Sequence, residues 1–203
     1  MPRFVGLLSI SFLVLAGAAA WQPAASAEGD SLAGQFVVAT PELEDPNFSR
    51  TVVFMTQHDE TGAMGLVINR VVARGPLTRL LEAMGVDAGP RGGSEVRVYA
   101  GGPVGRDIGF VLHSRDYESA ETVEVDDHVA MTPSLDVLKA IAAGDGPRES
   151  LVAFGYAGWG AGQLESEIAA GAWAIVPGDE RLLFDDDDAS KWQRAFARRG
   201  VEL

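Results

Sequence analysis

The sequence predicts one domain that combines short strands with short helices, and three observations carry that reading. Apolar runs of strand length recur between glycine, proline and polar turns; several segments show helical spacing of their apolar residues; and no internal repeat or long linker divides the 203 residues. With 47% of residues hydrophobic, a core can form without staples, and the absence of cysteine excludes disulfides and a lipobox.

The elements follow in order. Met1-Pro2-Arg3 is a short positive region, Phe4 to Ala20 an apolar run, and Ala25-Ser26-Ala27 a small-residue cleavage site, the pattern of a secretory signal peptide over residues 1–27. Cleavage after Ala27 is expected to leave residues 28–203 in an exported compartment, periplasmic or secreted, with no membrane contact. An apolar run of about 17 residues is at the lower limit for a span, so an uncleaved anchor is the second choice. Removing the leader takes Arg3 from the 16 basic residues, and 15 against 29 acids give a net charge of −14. Such a surface opposes a polyanion, and no basic face is evident beyond Arg194, Arg198 and Arg199, so direct nucleic-acid binding is not expected.

Phe36 to Ala39 and Thr51 to Thr56 are apolar strands, separated by a turn at Glu44-Asp45-Pro46-Asn47. A polar turn at residues 57–62 leads to a strand from Met64 to Arg70, which predicts an antiparallel hairpin. Asn69 stands in that strand where an apolar residue is expected, so its amide serves loop backbone or a ligand. Leu77, Leu80, Leu81 and Met84 mark a helix over Pro76 to Met84, stopped by Gly85, and a loop covers Val86 to Gly93. Glu95 to Ala100 is a strand running into Gly101-Gly102-Pro103-Val104. Gly109 to His113 and Thr122 to Val125 are further strands. Met131 to Pro133 turns into a helix from Ser134 to Ala143, with Thr132 as N-cap and Gly144 as stop.

Leu151 to Tyr156 is a buried strand, and the segment after it carries Gly155, Gly158, Gly160 and Gly162 before a helix from Gln163 to Ala170. Ala172 to Pro177 is a strand. The glycine-rich loop lacks the spacing of a nucleotide-binding motif, has no Lys or Arg nearby, and is followed by Glu165 and Glu167, which repel an anion. The glycines therefore let backbone pack on backbone while Tyr156 and Trp159 fill the space around them. Asp185 to Asp188 precede a helix that places Trp192 and Phe196 one turn apart; the run lacks the alternation, glycine and distal glutamate of a calcium loop.

The run Gly155-Tyr156-Ala157-Gly158-Trp159-Gly160-Ala161-Gly162-Gln163-Leu164-Glu165 resembles the signature of the YqgE/AlgH family. Residues 34–41, Asp45-Pro46-Asn47-Phe48, residues 62–69 and Gly101-Gly102-Pro103-Val104 are similar to its other motifs, in the same order. The resemblance covers residues 32–200. It implies an α+β fold with a bifurcated, partly barrel-like mixed sheet flanked by helices, and it implies no particular activity. Members of this family usually begin near the equivalent of Leu32 and are taken to be cytoplasmic, so the leader is a departure.

No catalytic motif stands out. Only His58, His113 and His128 can act as bases near neutral pH. His113 and Ser114 are neighbours on a strand and face opposite ways, which disfavours a direct pair. The expectation is a binding protein, without cofactor or metal, that takes a protein or small-molecule partner at the two glycine loops. The candidate residues are Asn69, Gly101, Gly102, Pro103, His113, Tyr156, Gly158, Trp159, Gly160 and Gln163. A hydrolase or transferase built on His113, Asp107 and the Tyr156–Trp159 segment would require that histidine to face a pocket. A regulator acting indirectly on transcription would require a cytoplasmic location and an accessory partner.

Overall fold

Strand β9 (Ser150–Gly160) is where the sheet divides in the computed structural model, which describes residues 31–86 and 94–200. The leader and most of the loop before Glu95 lie outside those residues. Along its first half β9 pairs in parallel with β5 (Glu95–Ala100), through Val98 opposite Val152 to Ala100 opposite Phe154. Along its second half it pairs antiparallel with β3 (Gly62–Val67), from Gly65 opposite Ala157 to Gly62 opposite Gly160. Its other side is held from Ser150 to Tyr156 by β6 (Val104–Ser114).

One branch continues from β3 through β2 (Val52–Asp59) and β1 (Phe36–Ala39) to β10 (Trp173–Val176), all antiparallel. The other adds β4 (Val71–Pro76) to β5, and beyond β6 lie β8 (Val129–Thr132) and β7 (Val123–Glu124). The result is a curled half-barrel of ten strands among the described residues, with five helices: an α+β single domain.

Both faces of the central strands are covered, which explains why their sequences are apolar runs and not alternations. In β1, Phe36 and Val38 face the main core, and Val37 and Ala39 face a second cluster. The main core is closed by α4 (Glu180–Phe184) and α5 (Asp188–Ala197), whose Trp192 and Phe196 stack at 5.4 Å. The second cluster gathers Trp159, Trp173 and Leu164 beneath α3 (Gln163–Ala169). A third lies under α1 (Leu77–Ala83) and α2 (Leu135–Ala143), against Val111 and Val152.

Gly155 makes the division possible. Before it, Leu151 and Ala153 face the main core; after it, Tyr156 packs against that core and Ala157 and Trp159 face the second cluster. The parity of the strand has shifted by one residue, which is what a bulge does. Gly155 sits at φ +74°, and a Cβ there would lie 2.6 Å from the Gly102 carbonyl oxygen. Gly101 occupies the fork: its N–H donates to Phe154 at 2.8 Å and its carbonyl accepts from Val67 at 2.8 Å, so it ties the two branches together. A Cβ on Gly102 would lie 2.0 Å from the Tyr156 carbonyl carbon. Opposite Gly155, β6 passes from Val104 (facing Tyr156) to Gly109 (facing Phe154), so residues 105–108 arch out of the ladder.

Several elements differ from the sequence reading. The segment after Tyr156 is strand up to Gly160, and only residues 161 and 162 turn, because β3 supplies a ladder partner from almost a hundred residues away. β6 begins at Val104 and not Gly109. Met131 and Thr132 belong to β8, so the N-cap of α2 is Ser134, whose hydroxyl accepts from the Asp136 N–H at 3.2 Å. The strand expected to reach Arg70 ends at Val67, and β4 was not expected. The helix starting at Leu77, its Gly85 stop at φ +75°, the β2–β3 hairpin and the helix from Gln163 form where the patterns place them.

The four aspartates anchor α5. Asp185 pairs with Arg194, Asp186 with Arg97, and Asp188 with Arg74 and Arg97, while Asp187 caps the helix through the Ser190 N–H. Lys191 is fully buried and donates to the carbonyls of Ile68, Leu183 and Asp185, with Asp188 at 3.5 Å.

Candidate functional site

The second half of β9 forms one wall of an open groove of about 1050 Å³. Met64 and Phe110 line it together with Tyr156 and Trp159, and Thr122 to Glu124 of the β7 edge form the opposite rim. The wall is mainly apolar; among the described residues its charges are the carboxylates of Glu121 and Glu124, with no Lys or Arg. Tyr156 meets Phe110 edge to face at 6.1 Å, which sets the ring against the main core.

Trp159 reaches the groove from the other side and is only 7% exposed. Phe48 stacks on it at 6.3 Å and Trp173 meets it edge-on at 5.8 Å. One oxygen of Glu167 accepts both indole N–H groups, at 2.9 Å from Trp159 and 2.8 Å from Trp173. Gln163 closes the turn: its side-chain oxygen accepts from the Gly160 N–H at 3.0 Å and its amide donates to Glu167 at 2.9 Å. A Cβ on Gly158 would touch the Tyr156 ring at 3.2 Å, whereas one on Gly160 would meet only Gln163 at 3.9 Å. The polar groups of Trp159 and Gln163 are thus engaged within the protein, and Tyr156 is the aromatic ring whose hydroxyl is left to the groove among the described residues.

Across the fork lies a smaller cleft of about 410 Å³, bordered by Gly102, Pro103 and Phe154. Asn69 stands beside it as a brace: its side-chain oxygen accepts from Val52 at 3.0 Å and its amide donates to the Arg50 carbonyl at 2.9 Å. Arg50, at φ +56°, is held there by that bond. Arg70 and Arg106 enter the cleft wall from the β3–β4 connection and from the β6 arch. Neither was found by reading the sequence, since the two are 36 positions apart and no local motif joins them.

His113 faces neither opening. It is fully buried, with Nδ1 at 2.9 Å from the Ser114 carbonyl, Nε2 at 2.9 Å from the Thr132 hydroxyl, and the Tyr117 ring edge-on at 5.5 Å. Burial depresses its pKa below 6.5, against smaller opposing effects of the Ser114 carbonyl and Asp116. His113 lies opposite Ser150 in the ladder, and Trp159 is nine positions farther along β9, on the order of 25–30 Å away at strand rise. Asp107 is exposed on the arch. Ser114 bonds Asp116 at 2.5 Å and the Glu149 N–H at 3.0 Å, apart from the histidine ring. The residues needed for hydrolysis or transfer on His113 are not brought together. His58 pairs with Glu165 at 2.6 Å, beside the N-terminus of α3.

The AlgH-like family model matches residues 36–203. A UPF0301 protein from Methylococcus capsulatus is 44% identical over 170 residues, 84% of this chain and 92% of its own. A UPF0301 protein from Caulobacter vibrioides is 46% identical over 176 residues, with 86% and 90% covered. The solution structure of the AlgH protein from Pseudomonas aeruginosa matches with a TM-score of 0.72 at 44% identity, covering 88% of this chain and 94% of that one.

Proposed function

This chain belongs to the AlgH-like family, and we propose that it is a non-catalytic binding protein, acting after export, that receives a protein or small-molecule partner in the groove beside the second half of β9. The observation that carries the reading is the groove itself. A space of about 1050 Å³ with mainly apolar walls exceeds the 300–1,000 Å³ range of small-molecule pockets only slightly, and its mouth is open enough for an extended segment. Tyr156 offers the combination of apolar ring and hydroxyl that recognition surfaces favour. Export rests on the positive start, apolar run and Ala25-Ser26-Ala27 site of the leader.

Nile red, a neutral apolar dye, tests the groove on the purified full chain. It is expected to gain fluorescence with wild type and to lose most of that gain with Ala120→Trp, which fills the rim from an exposed position. Equal fluorescence from the two proteins would refute the assignment of the groove. Export is tested by fractionation with intact-mass analysis: an exported protein beginning at Glu28 is expected, and a cytoplasmic protein retaining residues 1–27 refutes it.

A further inference from the structure

The smaller cleft differs from its surroundings in charge. The whole chain has a net charge of −13, yet among the described residues this wall holds two guanidinium groups, Arg70 and Arg106, and no carboxylate. The floor is apolar, formed by Val67, Val98 and Phe154, and Val72 at its rim is 63% exposed.

Arg70 is held in place. It donates to the carbonyls of Asn47 at 2.6 Å and Ser49 at 3.0 Å, which fixes the plane of the guanidinium while leaving its remaining N–H groups without a carboxylate among the described residues. Partial burial lowers its pKa, and nearby Asp45 only partly offsets this. Asp45 is turned to its own loop, accepting from the Asn47 N–H at 2.7 Å. Arg106 is exposed on the arch and has no hydrogen-bond or ion-pair partner among the described residues. The arch exists because β6 places residues 105–108 opposite the single Gly155, so the bulge that divides the sheet also delivers Arg106 to the cleft.

We propose that this cleft binds a small oxyanion on a short apolar body, a carboxylate or a phosphate monoester, with Arg70 and Arg106 as its two cations. A fixed guanidinium presents paired donors that match the oxygens of either head group. About 410 Å³ lies at the small end of ligand pockets, and the valines and Phe154 take the apolar part. This site lies across the fork from the acidic-rimmed groove and does not depend on what that groove binds.

Calorimetric titration of the full chain at low salt tests it, with phenyl phosphate and benzoate as probes and benzyl alcohol as the neutral control. At least one anion is expected to bind in the low-millimolar range or tighter, more weakly as salt rises, and the stronger of the two identifies the head group. Arg106→Ala should weaken that binding at least tenfold and Arg106→Glu should abolish it, both with the urea midpoint of wild type, since the side chain is exposed and has no partner among the described residues. Ala120→Trp should leave it unchanged. The proposal is overturned if neither anion binds at tens of millimolar, if benzyl alcohol binds as tightly, or if Arg106→Ala retains wild-type affinity.

Discussion

Replacing Gly155 with alanine isolates the demand that the fork makes on the chain. At φ +74° an L-residue carries a penalty of roughly 1–2 kcal/mol. The new methyl would also lie 2.6 Å from the Gly102 oxygen and 3.0 Å from the Val104 oxygen, contacts that only backbone movement can relieve. Overpacking of that kind adds about 1–3 kcal/mol, so the total is about 2–5 kcal/mol, a fall in Tm of roughly 4–20 °C for a domain of this size. Two controls separate the contributions in urea unfolding. Gly162 has φ +69°, and a Cβ there would meet nothing within 4 Å among the described residues, so Gly162→Ala should cost about 1 kcal/mol or slightly more. Gly160 has neither positive φ nor a close neighbour, and Gly160→Ala should be near neutral. If Gly155→Ala costs no more than Gly162→Ala, close packing of the two glycine segments is not what requires a glycine at the fork.

Two further outcomes follow from groups described above. Glu167→Ala leaves the indole N–H groups of Trp159 and Trp173 without their acceptor and should destabilise by about 1–3 kcal/mol for each, whereas Glu167→Gln keeps an accepting oxygen and should cost clearly less; urea midpoints of the two variants, if equal, would refute the shared-acceptor account. His113 is buried neutral with its pKa below 6.5, so the unfolded chain takes up the proton first, and its contribution is complete above about pH 6.5 and lost as pH falls toward the folded-state value. His113→Gln should lower stability at pH 7.5 yet show a shallower loss between pH 7.5 and 5.5 than wild type, and parallel pH dependences would refute this role.

What the sequence disclosed depended on whether the governing interaction was local. The helix from Leu77 was legible because its stripe, Pro76 and Gly85 lie within ten residues. Gly158-Trp159-Gly160 read as a loop because glycine has poor strand propensity, and the pairing that makes it strand comes from Gly62 to Met64. Thr132 read as a cap because Thr before a helix normally is one, but its hydroxyl is engaged by His113 and Thr122 inside the sheet. The run of aspartates gave no sign of Arg74 and Arg97, which meet it from strands about ninety or more positions earlier. Of the candidate residues, Asn69 was legible as a polar intruder in an apolar run; Arg70 next to it became visible only when the β6 arch placed Arg106 on the same cleft.

The position of β9 also governs the order in which the protein can assemble. The β2–β3 and β4–β5 pairs join segments close in sequence, so each can form as soon as it is synthesised. Neither has its final neighbour until residues 150–160 arrive, and β1 waits longer still for β10, about 140 residues downstream. Contacts of such separation slow folding, because loop closure must precede their gain. A chain still emerging from the ribosome therefore carries two incomplete half-sheets with open apolar edges. Truncation before residue 150 strands both of them in that state, and its expected product is an aggregate, not a smaller domain.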